Sequence, residues 1–294
     1  MQAIGFYLAV PFIYLISVLP FPLLYLFSDF VFVLMYYVLG YRKKVVAQNL
    51  KNSFPEKSEE EISMLRKKFY RYLCDLFLET FKTLTISREA MLKRCRMNDT
   101  SVNLLQKYYE EKKSVILVLG HLGNWEWGGN AFSLQCKHPL YVIYHPLENK
   151  YFNRMVIGMR TRFGTKLIEM KNTFRDMVKM KHEISAAAFI ADQTPQPDNA
   201  YWTNFLNQDT AVFKGTEIIA KKLNYPIVFI NVKKIRRGYY ELNAEALCEN
   251  PAQTSEGEIT ELHTKKLESE IRKNPETWLW SHRRWKHKRT TLKN

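Results

Sequence analysis

The chain has 294 residues, 46% of them hydrophobic and 25% charged, with a formal net charge of +15. That length buries a substantial core and suits one large domain better than several. The positive balance bears on partners, not on fold: nucleic acid, an anionic membrane or an acidic carrier protein are the candidates.

The first forty residues differ from the rest, with no Lys or Arg and Asp29 as the only acid. The run "AIGFYLAVPFIYLISVLPFPLLYLFS" is long enough to span a bilayer, which takes about 20 apolar residues. Pro11, Pro20 and Pro22 interrupt a single straight helix. A buried core helix pair is the alternative, but so long an uncharged stretch favours a membrane anchor over 1–40. A cleaved signal peptide fits poorly, because a basic start and a small-residue cleavage site are both missing. Arg42, Lys43 and Lys44 follow at once, and positive flanks stay cytoplasmic, so 41–294 is expected on the cytoplasmic face as a single domain.

Beyond the turn at Pro55, Ser58 caps a predicted helix whose first turn holds Glu59, Glu60 and Glu61. Ile62, Leu65, Phe69, Leu73, Leu76 and Phe77 recur along it at helical spacing. "SVNLLQKYYEEKK" reads as a shorter amphipathic helix. "SVILVLG" is an all-apolar run of the kind expected of a central strand covered on both faces. "PLYVIYHP", "ISAAAFIAD" and "PIVFINVKKI" look similar. Helical patterns, "KYFNRMVIGMRTRFG" and "KGTEIIAKKLNY", lie between them, so an α/β layered domain is expected. The tail "SHRRWKHKRTTLKN" carries six Lys or Arg and no acid. The cysteines, Cys74, Cys95, Cys136 and Cys248, lie far apart without a CxxC and read as reduced thiols.

The chemistry concentrates in "VILVLGHLGNWEWGGN". His121 follows the end of a predicted strand, where ligands of α/β sheets usually bind. Gly120 and Gly123 permit a tight turn, and a helix begins near Trp125. Positions five apart on a helix point about 140° away from each other. A His121–Glu126 pair therefore needs the turn to fold His121 back over the helix start. A carboxylate on one ring nitrogen fixes the tautomer and makes the other nitrogen a better base. No nucleophile accompanies the pair, which suits direct activation of a substrate hydroxyl. A serine-hydrolase elbow, a phosphate-binding P-loop, a dinucleotide fingerprint and paired zinc-ligand spacing are all missing.

Six ordered segments now carry a resemblance: "RKKVVAQNLKNSFPE", "GHLGNWEWGG", "YHPLENKYFNRMVIGMRTRFG", "ADQTPQP", "TAVFKGTEIIAKKL" and "NPETWLWSHRRWKHK". Together they make the chain, from about Arg42 to Lys288, similar to the late acyltransferases of lipid A biosynthesis within the lysophospholipid acyltransferase superfamily. The resemblance implies an α/β fold of the glycerol-3-phosphate-acyltransferase type: an αβα layered domain with a central mixed sheet. It implies transfer of a fatty acyl chain from an acyl-carrier-protein or coenzyme A thioester to a glycolipid hydroxyl, with no metal and no bound cofactor.

His121 then corresponds to the general base and Glu126 to its orienting partner. Arg160 and Asp192 fall at positions the family uses in its site. Asp192, at a second strand end, also lies within reach of His121 across the sheet. The N–H groups near Gly123 and Asn124, or Arg160, are the expected oxyanion donors. The wider superfamily has Asp where Glu126 stands, and its "F-P-E-G" motif is missing, which argues against lysophosphatidate-type acceptors. A mannosylated phosphoinositide or aminolipid acceptor remains the alternative substrate.

The implied partners are acidic carrier protein, phosphorylated glycolipid and anionic inner membrane, and all suit the basic charge. The clusters Arg66–Arg71, Lys233–Arg237 and Arg283–Arg289 are available to them. Trp280 and Trp285 interleave with the last cluster, either as interfacial anchors or within a solvated tail. A nucleic-acid-binding protein is the reading from a different class. It accounts for the charge and the basic–aromatic tail, but not for the uncharged N-terminus or the His–Glu turn.

Overall fold

In the computed structural model, which describes residues 2–289, two apolar helices come first: α1 (Gln2–Val18) and α2 (Phe21–Val33), the latter running on through a π turn at Leu34–Leu39. Pro20 separates them, holding φ at −55° one residue before α2. There follow α3 (Lys43–Ser53), α4 (Glu59–Lys82), α5 (Arg88–Arg94), β1 (Cys95–Met97), α6 (Asp99–Glu110), β2 (Val115–Leu119) and α7 (Trp125–Gln135). Next come β3 (Leu140–Tyr144), α8 (Lys150–Thr161), β4 (Lys166–Glu169), α9 (Thr173–Lys179) and β5 (Ala186–Ile190). The chain continues through β6 (Ala200–Phe205), β7 (Gln208–Phe213), α10 (Gly215–Leu223), β8 (Ile227–Arg236), β9 (Tyr239–Cys248) and α11 (Glu258–Lys273).

Seven strands form one sheet in the order β1-β9-β8-β2-β5-β3-β4, parallel except for the β8–β9 hairpin. β6 and β7 form a separate antiparallel pair. The all-apolar runs read from the sequence as central strands are β2, β3, β5 and β8. Both faces of β2 are covered, because Ile116 and Val118 join one buried cluster while Val115 and Leu117 join the other. The first cluster draws Phe69 and Leu73 from α4, Leu267 and Ile271 from α11, and Trp278 and Trp280. The second draws Met91 from α5, Leu105 from α6, and Trp127, Ala131 and Phe132 from α7.

The capping box expected at Ser58 is present: its hydroxyl accepts from the Glu61 N–H, and the Glu61 carboxylate accepts from the Ser58 N–H. All four cysteines are free. The C-terminal segment departs from both expectations. Trp280 is fully buried, Trp285 is half-buried against the same cluster, and Arg284 is buried with Nη1 donating to the Ala211 carbonyl at 2.6 Å. The tryptophans interleaved with basic residues are thus core side chains rather than interfacial anchors or a solvated tail. Residues 290–294 of that tail lie outside the described residues.

Phe21–Leu39 is long and apolar enough to cross a membrane. Tyr7, Leu8, Phe12 and Leu15 of α1, with Leu26 and Phe30 of α2, are more than 60% exposed. The opposite side of α2 is tied to the rest of the molecule by polar contacts. Asp29, the lone acid of the N-terminus, pairs with Arg237 of the β8–β9 turn at 2.8 Å, and Arg237 also grips Asp75 of α4 at 2.7 Å. Ser28 donates to Asp75 at 2.7 Å. The Glu79 carboxylate accepts from Tyr25 of α2 at 2.8 Å, Asn124 ahead of α7 at 2.7 Å and Tyr240 of β9 at 2.7 Å.

Burial lifts the Glu79 carboxyl to about 7, with the hydrogen bonds from Tyr240, Tyr25 and Asn124 pulling the other way. A value raised above that of the unfolded chain contributes stability at low pH, and loses it as pH rises from about 4.5 through about 7. The unfolding free energy of wild type relative to Glu79→Gln should therefore fall across that interval, as read by denaturant melts in detergent; a pH-independent difference would contradict it. Glu79→Ala, which strips three donors of their acceptor, should cost roughly 3 kcal/mol or more in the same melts.

Candidate active site

The register of two parallel strands builds the site. Leu119 of β2 pairs with Ile190 of β5, and the Ala191 N–H donates to the Leu119 carbonyl at 3.0 Å. Two residues beyond each member of that pair stand His121 and Asp192, which brings the imidazole and the carboxylate side by side. The Asp192 Oδ1 lies 2.6 Å from the His121 Nδ1, and Oδ2 accepts from the His121 backbone N–H at 2.7 Å. Oδ2 also accepts from the Trp278 indole at 2.8 Å. Burial alone raises the Asp192 carboxyl, but the His121 ring, the His121 N–H and Trp278 outweigh it and hold the group at about 2.

An ionised Asp192 at Nδ1 selects the tautomer with hydrogen there, and leaves the lone pair on Nε2. Gln193 places its side-chain Nε2 at 3.3 Å from that atom. Trp125 stands edge-on to the imidazole, with ring centroids 4.9 Å apart. His121 Nε2 thus faces a cleft of about 420 Å³ between α7, the C-terminal ends of β3 and β5, and α8.

Glu126 also lines this cleft, but it is not the partner of His121. As the second residue of α7 it turns toward α8, where Arg160 takes it bidentately, Nε to Oε2 at 2.9 Å and Nη2 to Oε1 at 2.5 Å. Burial works against its charge, yet Arg160 and then His121 hold the Glu126 carboxyl below the usual carboxylate range. The expected His121–Glu126 hydrogen bond is therefore corrected to His121–Asp192. A neighbouring strand end delivers a carboxylate at the level of the ring, while the start of α7 points its carboxylate away.

One of the expected oxyanion donors is already engaged. The Gly123 N–H donates to the Thr277 carbonyl at 3.0 Å. Gly123 has φ +64° and a Cβ there would stand 1.6 Å from the Val232 carbonyl oxygen, so its role is to let the turn pass β8. Asn124 is fully buried; its side chain caps α7 by accepting from the Trp127 N–H at 2.9 Å and donates to Glu79. Gln193 and Arg160 are among the polar side chains that line the cleft.

The C-terminal segment completes the support. Leu122 and Trp278 form an antiparallel bridge, and the Leu279 N–H donates to the His121 carbonyl at 3.1 Å. Sequence reasoning missed Trp278 and Gln193. "ADQ" at a strand end was a usable signal for Gln193, whereas nothing local in "NPETWLW" announced a contact with Asp192. Among the described residues no group of three or more His, Cys, Asp or Glu side chains is placed to hold a metal ion. An apolar slot shares Trp125, Gly129, Val142 and Ile190 with the cleft and runs on between α7 and the sheet toward Phe132 and Leu140.

The model of one family, the bacterial lipid A biosynthesis acyltransferases, matches residues 1–287. The chain belongs to that family. It is similar to the lipid A biosynthesis palmitoleoyltransferase of Escherichia coli K12, 24% identical over 270 residues, or 91% of this chain and 86% of the relative. It is likewise similar to the lauroyltransferase of the same organism, 22% identical over 283 residues, or 95% and 90% of the two chains. A lipid A biosynthesis acyltransferase of Shigella flexneri matches at 24% over 270 residues. This acyltransferase therefore presents a buried carboxylate–imidazole pair at one side of its cleft and an ion pair, Glu126–Arg160, at the other.

Replacing Asp192 by Asn removes the charge that holds His121 and should lower kcat about 10²- to 10⁴-fold, with the fold retained by circular dichroism. Trp278→Phe removes one hydrogen bond to the same oxygen and should cost about tenfold. A fully active Asp192→Asn enzyme would show that the pair is structural only.

Proposed function

We propose that the protein transfers a fatty acyl chain from an acyl-carrier-protein or coenzyme A thioester to a hydroxyl of a lipid A precursor, with His121 as general base. The observation that carries this is the Asp192–His121 pair at the edge of the cleft, with Nε2 contacted only by the Gln193 amide at 3.3 Å, which an acceptor hydroxyl would displace. His121 Nε2 takes the proton of the acceptor hydroxyl while that oxygen attacks the thioester carbonyl carbon. The carbonyl electrons move onto its oxygen, and the tetrahedral oxyanion meets the Gln193 amide and the Arg160 guanidinium. Collapse expels the thiolate, and His121 returns the proton to it. No acyl-enzyme forms. Asp192 stays ionised throughout and stabilises the imidazolium.

Glu126 acts through Arg160, holding the guanidinium against the cleft. The apolar slot beneath α7, of about 50 Å³ and with no charged side chain on its walls, takes the first carbons of the acyl tail beside the thioester. The reading implies the helix–sheet–helix layering of glycerol-3-phosphate acyltransferases, with helices against both faces of the sheet. It also implies that residues 1–40 form the anchor of a single domain at 41–294. The exposed apolar faces of α1 and α2 support an inner-membrane location, and the positive step at Arg42–Lys44 supports a cytoplasmic face for the cleft. An acidic carrier protein suits the net charge of +15.

General-base catalysis is worth about 10²- to 10⁴-fold, so purified His121→Ala should lose at least 10²-fold in acyl transfer to a lipid A precursor, followed by mass spectrometry of the product. Transfer at near wild-type rate by the folded variant would refute the assignment.

A further inference from the structure

A second concavity, of about 740 Å³, lies between α1 and α8 on the side of α8 away from the cleft. One wall is apolar and aromatic: Phe6, Tyr7, Val10 and Tyr14 of α1. The other carries three cations, Lys150, Arg154 and Arg162, and no acid lines the groove. Phe6 fixes the spacing by stacking on Tyr151 at 5.6 Å and meeting Phe152 edge-on at 5.1 Å. Arg162 is held by the Thr83 carbonyl. Among the described residues, none of the three cations has a carboxylate partner within ion-pair distance. Lys150 and Arg154 are exposed, and a cationic wall without an acid is complementary to an anion. The arrangement suits an amphiphile with a phosphate head.

The helix α8 links this groove to the chemistry. The cleft wall reaches Leu147, and the groove begins at Lys150, three positions further on. At 3.6 residues per turn, Tyr151 and Gly158 lie roughly opposite Arg160, so a helix about 10–12 Å across separates the groove from the cleft. A glycolipid in contact with both would have to round the N-terminal end of α8.

Resting on the function proposed above, we propose that the α1–α8 groove binds a phosphate of the acyl acceptor through Lys150 and Arg154 while the acceptor's hydroxyl lies at His121. The groove is therefore a specificity site for phosphorylated acceptors. Its position beside the apolar helix α1 lets the acceptor's own acyl chains stay in the lipid phase.

The test is the full-length Lys150→Gln/Arg154→Gln enzyme in mixed micelles, assayed with a phosphorylated lipid A precursor and with the same acceptor after phosphatase treatment. Both side chains are exposed, so the variant is expected to fold. The expected result is a KM about tenfold or more higher for the phosphorylated acceptor, as befits a lost charged hydrogen bond. kcat should stay within about twofold, and KM for the dephosphorylated acceptor should not move. Binding to vesicles containing an anionic phospholipid should be unchanged. An unmoved KM, or an equal rise with both acceptors, overturns the inference. A rise that tracks lost vesicle binding also overturns it, and makes the groove a contact for bilayer headgroups. A wild-type enzyme inactive on both acceptors overturns the reaction itself, and this inference with it.

Discussion

The site depends on one register. β2 and β5 run parallel with Leu119 opposite Ile190, and each strand ends two residues short of a functional side chain. A one-residue slip would turn every β2 side chain to the opposite face of the sheet and separate His121 from Asp192. The slip is blocked by burial on both faces, since alternate β2 residues enter different clusters. Past the strand end the backbone is held from a third direction by the segment 277–280, which hydrogen-bonds Gly123 and His121 and sends the Trp278 indole to Asp192. Imidazole and carboxylate are therefore fixed by backbone pairing, and little conformational entropy is left to lose when a substrate arrives.

A second knot connects that site to the apolar helices. Glu79 and Asp75, one helical turn apart on α4, face α2. Glu79 accepts from Tyr25, from Tyr240 and from Asn124, the residue that caps α7. Asp75 shares Arg237 with Asp29. The position of α2 is thus coupled, through two carboxylates, to the helix that carries Glu126 and forms one wall of the cleft.

Much of this frame was legible in the sequence, because the signals were local. Four apolar runs gave the central strands, Ser58 with Glu61 gave the start of α4, and the strand-end position of His121 marked the cleft. Asp192 was visible as a strand-end carboxylate within reach of His121. What the sequence misassigned was partnership. Glu126 stands five residues from His121 and looks like its neighbour, but α7 turns it onto Arg160, 34 positions away. The C-terminal tryptophans misled for the same reason. Their flanking charges suggest a wet surface, yet Trp280 is buried and Trp285 half-buried against elements that precede them by more than fifty residues, such as Phe54 and Phe205. Chain distance says little about contacts made across a sheet.

The most direct measurement is the protonation of the His121 ring, read by nitrogen and proton resonances of histidine-labelled enzyme in detergent micelles. The account predicts a strongly downfield proton on Nδ1, with the downfield signal lost in Asp192→Asn and kept in Glu126→Gln. A signal that survives Asp192→Asn but vanishes in Glu126→Gln would contradict it.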